Sequence, residues 1–75
     1  MNLIISRHAK RRLRLYNIPE STILQMIEQS MPLNNGRYEI VRNADSFAYP
    51  IKIVFEIQEM AVTLITAYPL KKGIK

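Results

Sequence analysis

Nine consecutive residues, Ser6-Arg7-His8-Ala9-Lys10-Arg11-Arg12-Leu13-Arg14, hold five of the chain's eleven lysines and arginines and its one histidine. Cations at that density attract phosphate groups and raise their local concentration. Histidine, with an ordinary pKa of about 6.5, takes up and releases protons near neutral pH. A phosphate address that contains a proton carrier points to RNA binding first, with metal-free cleavage as the chemistry the histidine would add. In that chemistry a base removes the 2′-hydroxyl proton and an acid protonates the leaving 5′-oxygen. Cations stabilise the charge that builds at phosphorus. His8 is the candidate base. Arg12 is the candidate stabiliser, because its planar fork can hold two phosphate oxygens at once.

Other residues extend this set. Arg7, Lys10 and Arg11 are candidate RNA contacts beside the histidine, and Thr66, Lys71 and Lys72 are candidates near the other end of the chain. Tyr68 is a candidate catalytic acid and could also stack on a base. Each has a plainer role open to it: His8 as a helix-end cap, Arg12 as a solvated surface residue, Tyr68 as a core aromatic, Thr66 as a strand residue. Glu39 and Glu56 suit cross-strand ion pairs better than acid–base work. One histidine, no cysteine and scattered carboxylates argue against a metal site. No glycine-rich phosphate loop or Ser-His-Asp set is present, so no cofactor is expected.

With 75 residues, the chain reads as a single domain, residues 1–75, near the lower size limit for a self-sufficient core. A hydrophobic content of 48% with only two glycines argues against disorder. The absence of cysteine fits a reducing compartment. No apolar run approaches the roughly 18 residues that cross a bilayer, and Met1-Asn2-Leu3-Ile4-Ile5 is too short for a signal-peptide core. The expectation is a soluble, cytoplasmic protein with no membrane role. Its net charge of +5 is concentrated at positions 7–14 and in Lys71, Lys72 and Lys75. A fold that joins the two ends would create one basic face.

Residues 6–16 read as a first helix with Ser6 as N-cap. Ala9, Leu13 and Tyr16 form its inward stripe, Lys10 and Arg14 point outward, and His8 and Arg12 flank the stripe as i,i+4 neighbours. Asn17 and Glu20 fit a capping box for a second helix over residues 20–31, which Pro32 stops. From Arg37 the period becomes two, with Tyr38 and Ile40 on one side. In the next strand Tyr49, Ile51, Ile53, Phe55 and Ile57 share a face. Gln58-Glu59 then turns the chain into a strand with Met60, Val62, Leu64, Thr66 and Tyr68 on one face. Leu3 to Ile5 adds a short edge strand. The class is α+β: two N-terminal helices packed on one face of a three- to four-stranded antiparallel sheet.

His8-Ala9-Lys10-Arg11-Arg12, Asn17-Ile18 and Thr66-Ala67-Tyr68 resemble the motifs of a family of small bacterial and phage domains. These open on a His-Ala-x-x-Arg helix and close on a Thr-Ala-Tyr strand. They are similar to the BECR superfamily, which groups barnase, EndoU, colicin and RelE-type ribonucleases and includes RelE/ParE and BrnT toxins. The resemblance implies a RelE-like fold and a toxin that cuts RNA, free or ribosome-associated, under the control of an antitoxin protein. Two positions depart from the pattern. Tyr16 stands where a second arginine is common, which removes a phosphate contact. Asn17 replaces a glycine, and asparagine tolerates the same left-handed backbone. An open sheet edge also allows strand addition or a homodimer. The alternatives are a noncatalytic RNA-binding module and a protein-interaction module on the same scaffold.

Overall fold

The first helix is fixed at both ends by side chains and backbone that the sequence supplies locally. Ser6 is its N-cap: the Oγ accepts from the Ala9 backbone N–H at 3.0 Å, satisfying one of the free donors of the first turn. The same hydroxyl donates to the Ile65 carbonyl at 3.2 Å, and the Ser6 N–H donates to the Leu64 carbonyl at 3.1 Å. One serine therefore starts the helix and ties it to a strand 59 residues away. At the other end Asn17 is left-handed, with φ 55°. Its N–H reaches the Arg14 carbonyl while the Ile18 N–H reaches Leu13, a Schellman closure sealed by contact-prone, buried Leu13 and Ile18.

The computed structural model describes residues 2–44 and 47–70. In chain order the elements are β1 (Asn2–Ile5), α1 (Arg7–Tyr16), α2 (Glu20–Ser30), β2 (Gly36–Arg42), β3 (Ile51–Gln58) and β4 (Ala61–Pro69). The capping box expected for α2 does not form. Pro19 occupies the N-cap position without a side-chain bond, because Asn17 is committed to closing α1. α2 stops at Ser30, short of Pro32, whose ring disfavours helical geometry in the residue before it.

The four strands lie in the order β1-β4-β3-β2. β2, β3 and β4 form the expected antiparallel meander, but β1 pairs with β4 in parallel, so the sheet is mixed and not wholly antiparallel. Strand periodicity reports which residues share a face and says nothing of direction. No tight turn links β1 to its neighbour, so the intervening helices leave the parallel pairing open. β1 also places a strand ahead of both helices. Class and layering otherwise follow expectation. Ala9, Leu13, Ile18, Ile23, Met26 and Ile27 from the helical side meet Ile51, Ile53, Phe55, Ile57, Val62, Leu64 and Ala67 from one sheet face. Tyr38 closes one flank by stacking on Phe55, with ring centroids 5.6 Å apart.

A β-bulge in β4 decides the position of its C-terminal half. Phe55 pairs with Leu64 and Val54 pairs with Thr66, so Ile65 is the unpaired extra residue. Val62 and Leu64 face the helices before the bulge, and Ala67 does so after it. Thr66 and Tyr68 therefore turn to the opposite face, against the expectation that strict alternation kept them with Val62 and Leu64. The hairpin turn is also one residue later than expected. It is made by Glu59 and Met60, both at positive φ (49° and 69°), and Met60 lies outside the strand and exposed.

Candidate functional site

α1 carries five cations and no carboxylate: Arg7, Lys10, Arg11, Arg12 and Arg14. Helices are usually stabilised by acidic groups in the first turn and by opposite charges four residues apart. Here the first turn has no acidic residue and begins with Arg7, while Arg7/Arg11 and Lys10/Arg14 are like-charge i,i+4 pairs. Among the described residues the one ion pair is elsewhere, between Lys52 and Glu39, so none of these five has a carboxylate partner there. A helix kept in this electrostatically unfavourable state suits a ligand that brings the missing negative charge.

Within this surface three side chains line up at successive i,i+4 positions. Arg12 donates from Nε to His8 Nε2 at 3.4 Å and from Nη1 to the Tyr16 hydroxyl at 3.5 Å. Both contacts are long, so they orient the guanidinium more than they stabilise it. In this arrangement the Arg12 Nε–H faces the His8 Nε2 acceptor. His8 is exposed and Arg12 half-buried. His8, Arg11, Arg12, Arg14 and Leu15 border a shallow, open concavity of about 550 Å³. Arg14, expected to point wholly away, borders both flanks of the helix: this concavity and a second one with Lys10, Leu13, Ile18 and Glu20. Arg7 is exposed at the helix start.

Tyr16 is the residue that sequence reasoning undervalued. It reads as part of the inward stripe and as the loss of an arginine, and it is half-buried against the core. Its hydroxyl nevertheless reaches Arg12. The signal was present in the spacing, since Tyr16 follows Arg12 by four positions and His8 precedes it by four.

The carboxyl-terminal candidates are not brought to this cluster. α1 packs on the side of β4 that carries Val62, Leu64 and Ala67, and the bulge sends Thr66 and Tyr68 to the other side. There Tyr68 pairs with Lys52, whose ammonium bonds Glu39 Oε1 at 3.1 Å. The hydrogen bond and charge of Glu39, helped by the Tyr68 phenol, raise the lysine pKa above its ordinary value. Glu39 is thus the cross-strand salt partner expected, and Glu56 is exposed and pairs in register with Arg37 and Thr63. Lys71 and Lys72 lie outside the described residues, so a basic face joining both ends of the chain has one described half. Among the described residues no group of three or more histidine, cysteine, aspartate or glutamate side chains is placed to hold a metal, and no helix is long and apolar enough to cross a membrane. Compared with known proteins, the chain matches no family model, no characterised protein and no solved structure.

Proposed function

We propose that this protein is a small, metal-independent ribonuclease of the RelE-like kind that holds RNA on the exposed flank of α1 and acts in the cytoplasm. The observation that carries this reading is the single guanidinium of Arg12 set between His8 Nε2 and the Tyr16 hydroxyl on a helix with no carboxylate. A phosphodiester that takes the Arg12 fork frees Nε2, whose lone pair then accepts the 2′-hydroxyl proton. The 2′-oxygen attacks phosphorus and the bond to the 5′-oxygen breaks. The leaving oxygen takes its proton from the Tyr16 phenol or from water. The products are a 2′,3′-cyclic phosphate and a free 5′-hydroxyl. Arg11 and Arg14 hold the neighbouring phosphates. In a toxin–antitoxin pair the partner would be an acidic segment that supplies the charge α1 lacks.

The second reading, a noncatalytic RNA-binding module, is favoured by one observation. Tyr68, the phenol that the family resemblance offers as an acid, stands on the far side of the sheet from His8. Single-stranded RNA incubated with the protein in excess chelator separates the two. Cleavage that persists, and that His8→Ala abolishes while RNA affinity stays within about twofold, supports the nuclease. Wild-type protein that binds RNA without cutting it leaves the binding module. If affinity is weak and indifferent among polyanions, RNA is not the ligand.

A further inference from the structure

Beyond the basic flank, the molecule has a cleft of different character where the Asn17 turn and α2 face the β2–β3 connection. It encloses about 420 Å³ and is lined by Asn17, Pro19, Thr22, Gln25, Met26, Gln29, Asn43, Ala44 and Phe47. In a chain of net charge +5, no charged side chain lines it among the described residues. Four amides and one hydroxyl ring it, and each amide offers both donors and an acceptor. Among the described residues, none of these five side chains takes part in a side-chain hydrogen bond within the protein. Their bonding capacity is left to solvent or a ligand. The apolar part is anchored: Met26 is buried, and Ala44 and Phe47 pack on the core with the Phe47 N–H on the Ala44 carbonyl at 3.0 Å.

We infer that this cleft binds a nucleobase, adenine by preference, as the specificity pocket of the RNA surface proposed above. A base has an apolar face that needs a flat hydrophobic neighbour and an edge that needs paired donors and acceptors, and this lining supplies both. The lining chemistry also ranks the bases. Guanine's two acceptors favour arginine or lysine and cytosine's amino group favours a carboxylate, whereas adenine's adjacent donor and acceptor match one amide held side-on. Among the described residues the lining offers amides and no charge, which favours the last. Asn17, at the edge of the cleft, is the residue that follows Tyr16 of the His8–Arg12–Tyr16 row.

The inference rests on the RNA reading of α1, but its test uses a ligand without phosphate. Backbone amide shifts of the 75-residue protein are followed by NMR with adenosine, cytidine and ribose 5-phosphate, and with a Gln25→Ala/Asn43→Ala variant whose two sites are exposed. The expected result is saturable shifts at Thr22, Met26, Ala44 and Phe47 with adenosine. Cytidine should bind about tenfold more weakly, the discrimination of one bidentate amide pair. The variant should lose that preference while its melting temperature stays at the wild-type value. Equal binding of both nucleosides, or cleft shifts with ribose 5-phosphate alone, overturns the assignment. If RNA binds yet adenosine moves none of these amides, the cleft is wrong and the α1 surface stands. If adenosine binds in the cleft yet RNA does not bind, the function reading fails and the pocket stands.

Discussion

The uncompensated charge of α1 leads to a test in which stability and RNA binding move in opposite directions. Arg7 is the first residue of the helix and is exposed, so its cation sits at the positive end of the helix dipole with a like charge, Arg11, four positions on. Arg7→Glu reverses both effects. A carboxylate in the first turn is favourable by about 0.3–1 kcal/mol, where the arginine is unfavourable by a similar amount. An i,i+4 pair changes from repulsive to attractive at about 0.2–0.5 kcal/mol in each sense. Both groups are solvated, so screening reduces the sum, and a gain of about 1 kcal/mol is expected. For a domain of this size that raises Tm by about 4–8 °C. Thermal melts by circular dichroism read it directly, and the gain should shrink toward zero near 1 M salt, where the screening length is about 3 Å. In the same protein RNA affinity should fall, and the slope of log K against log salt should become shallower by about 0.7 for one lost phosphate contact to a single strand. An unchanged or lower Tm at low salt would refute the helix electrostatics. A higher Tm with RNA affinity intact would show that the helix start does not face the ligand.

Two further outcomes follow from the sheet. Glu59 and Met60 make the β3–β4 turn at positive φ, a geometry that costs L-residues about 1–2 kcal/mol each and that Asn-Gly adopts readily, and Met60 is 86% exposed. Glu59→Asn/Met60→Gly should therefore stabilise the protein by about 1–2 kcal/mol in urea denaturation, and a loss of stability would mean that the turn is held by contacts these side chains make. Lys52 has a folded-state pKa above its unfolded value, so its contribution is fully present below the ordinary lysine pKa and is lost as pH rises through the higher folded value. The Tm difference between wild type and Lys52→Met should hold constant up to about pH 10.4 and shrink only above it, and a difference that already falls near pH 8 would contradict the pairing with Glu39.

What the sequence made legible was whatever depends on local period and local chemistry. The inward stripe of α1, the Ser6 cap, the tolerance of Asn17 for a left-handed turn and the Ile51–Ile57 face all follow from spacing and residue type, and each is present. Features set by competition or pairing were not legible. Asn17 could cap α2 or close α1, and which one wins depends on Leu13 and Ile18 being buried together, a tertiary outcome. The direction of β1 depends on where α1 and α2 deliver the chain. The bulge at Ile65 has no glycine or proline to announce it, and a pattern read at strict period two passes straight through it.

That one unpaired residue also accounts for how the candidate site divides. Every β4 residue beyond Ile65 changes face relative to a regular strand, so Thr66 and Tyr68 leave the side on which α1 lies and join Lys52 and Glu39. The bulge lies where Ser6 binds, since the Ile65 carbonyl accepts the Ser6 hydroxyl and the Leu64 carbonyl accepts the Ser6 N–H. The tether that starts α1, two residues before His8, is thus attached to the irregularity that turns Tyr68 away. A chemistry needing both His8 and Tyr68 would have to reach around the sheet. The chemistry proposed for α1 alone uses His8, Arg12 and Tyr16, which the helical repeat holds together whatever β4 does. For that reason the Tyr16 hydroxyl decides whether the leaving oxygen takes its proton from this helix or from water. Tyr16→Phe, which keeps the ring packed against the core, is the substitution that separates a phenol acting at the leaving oxygen from one that only packs.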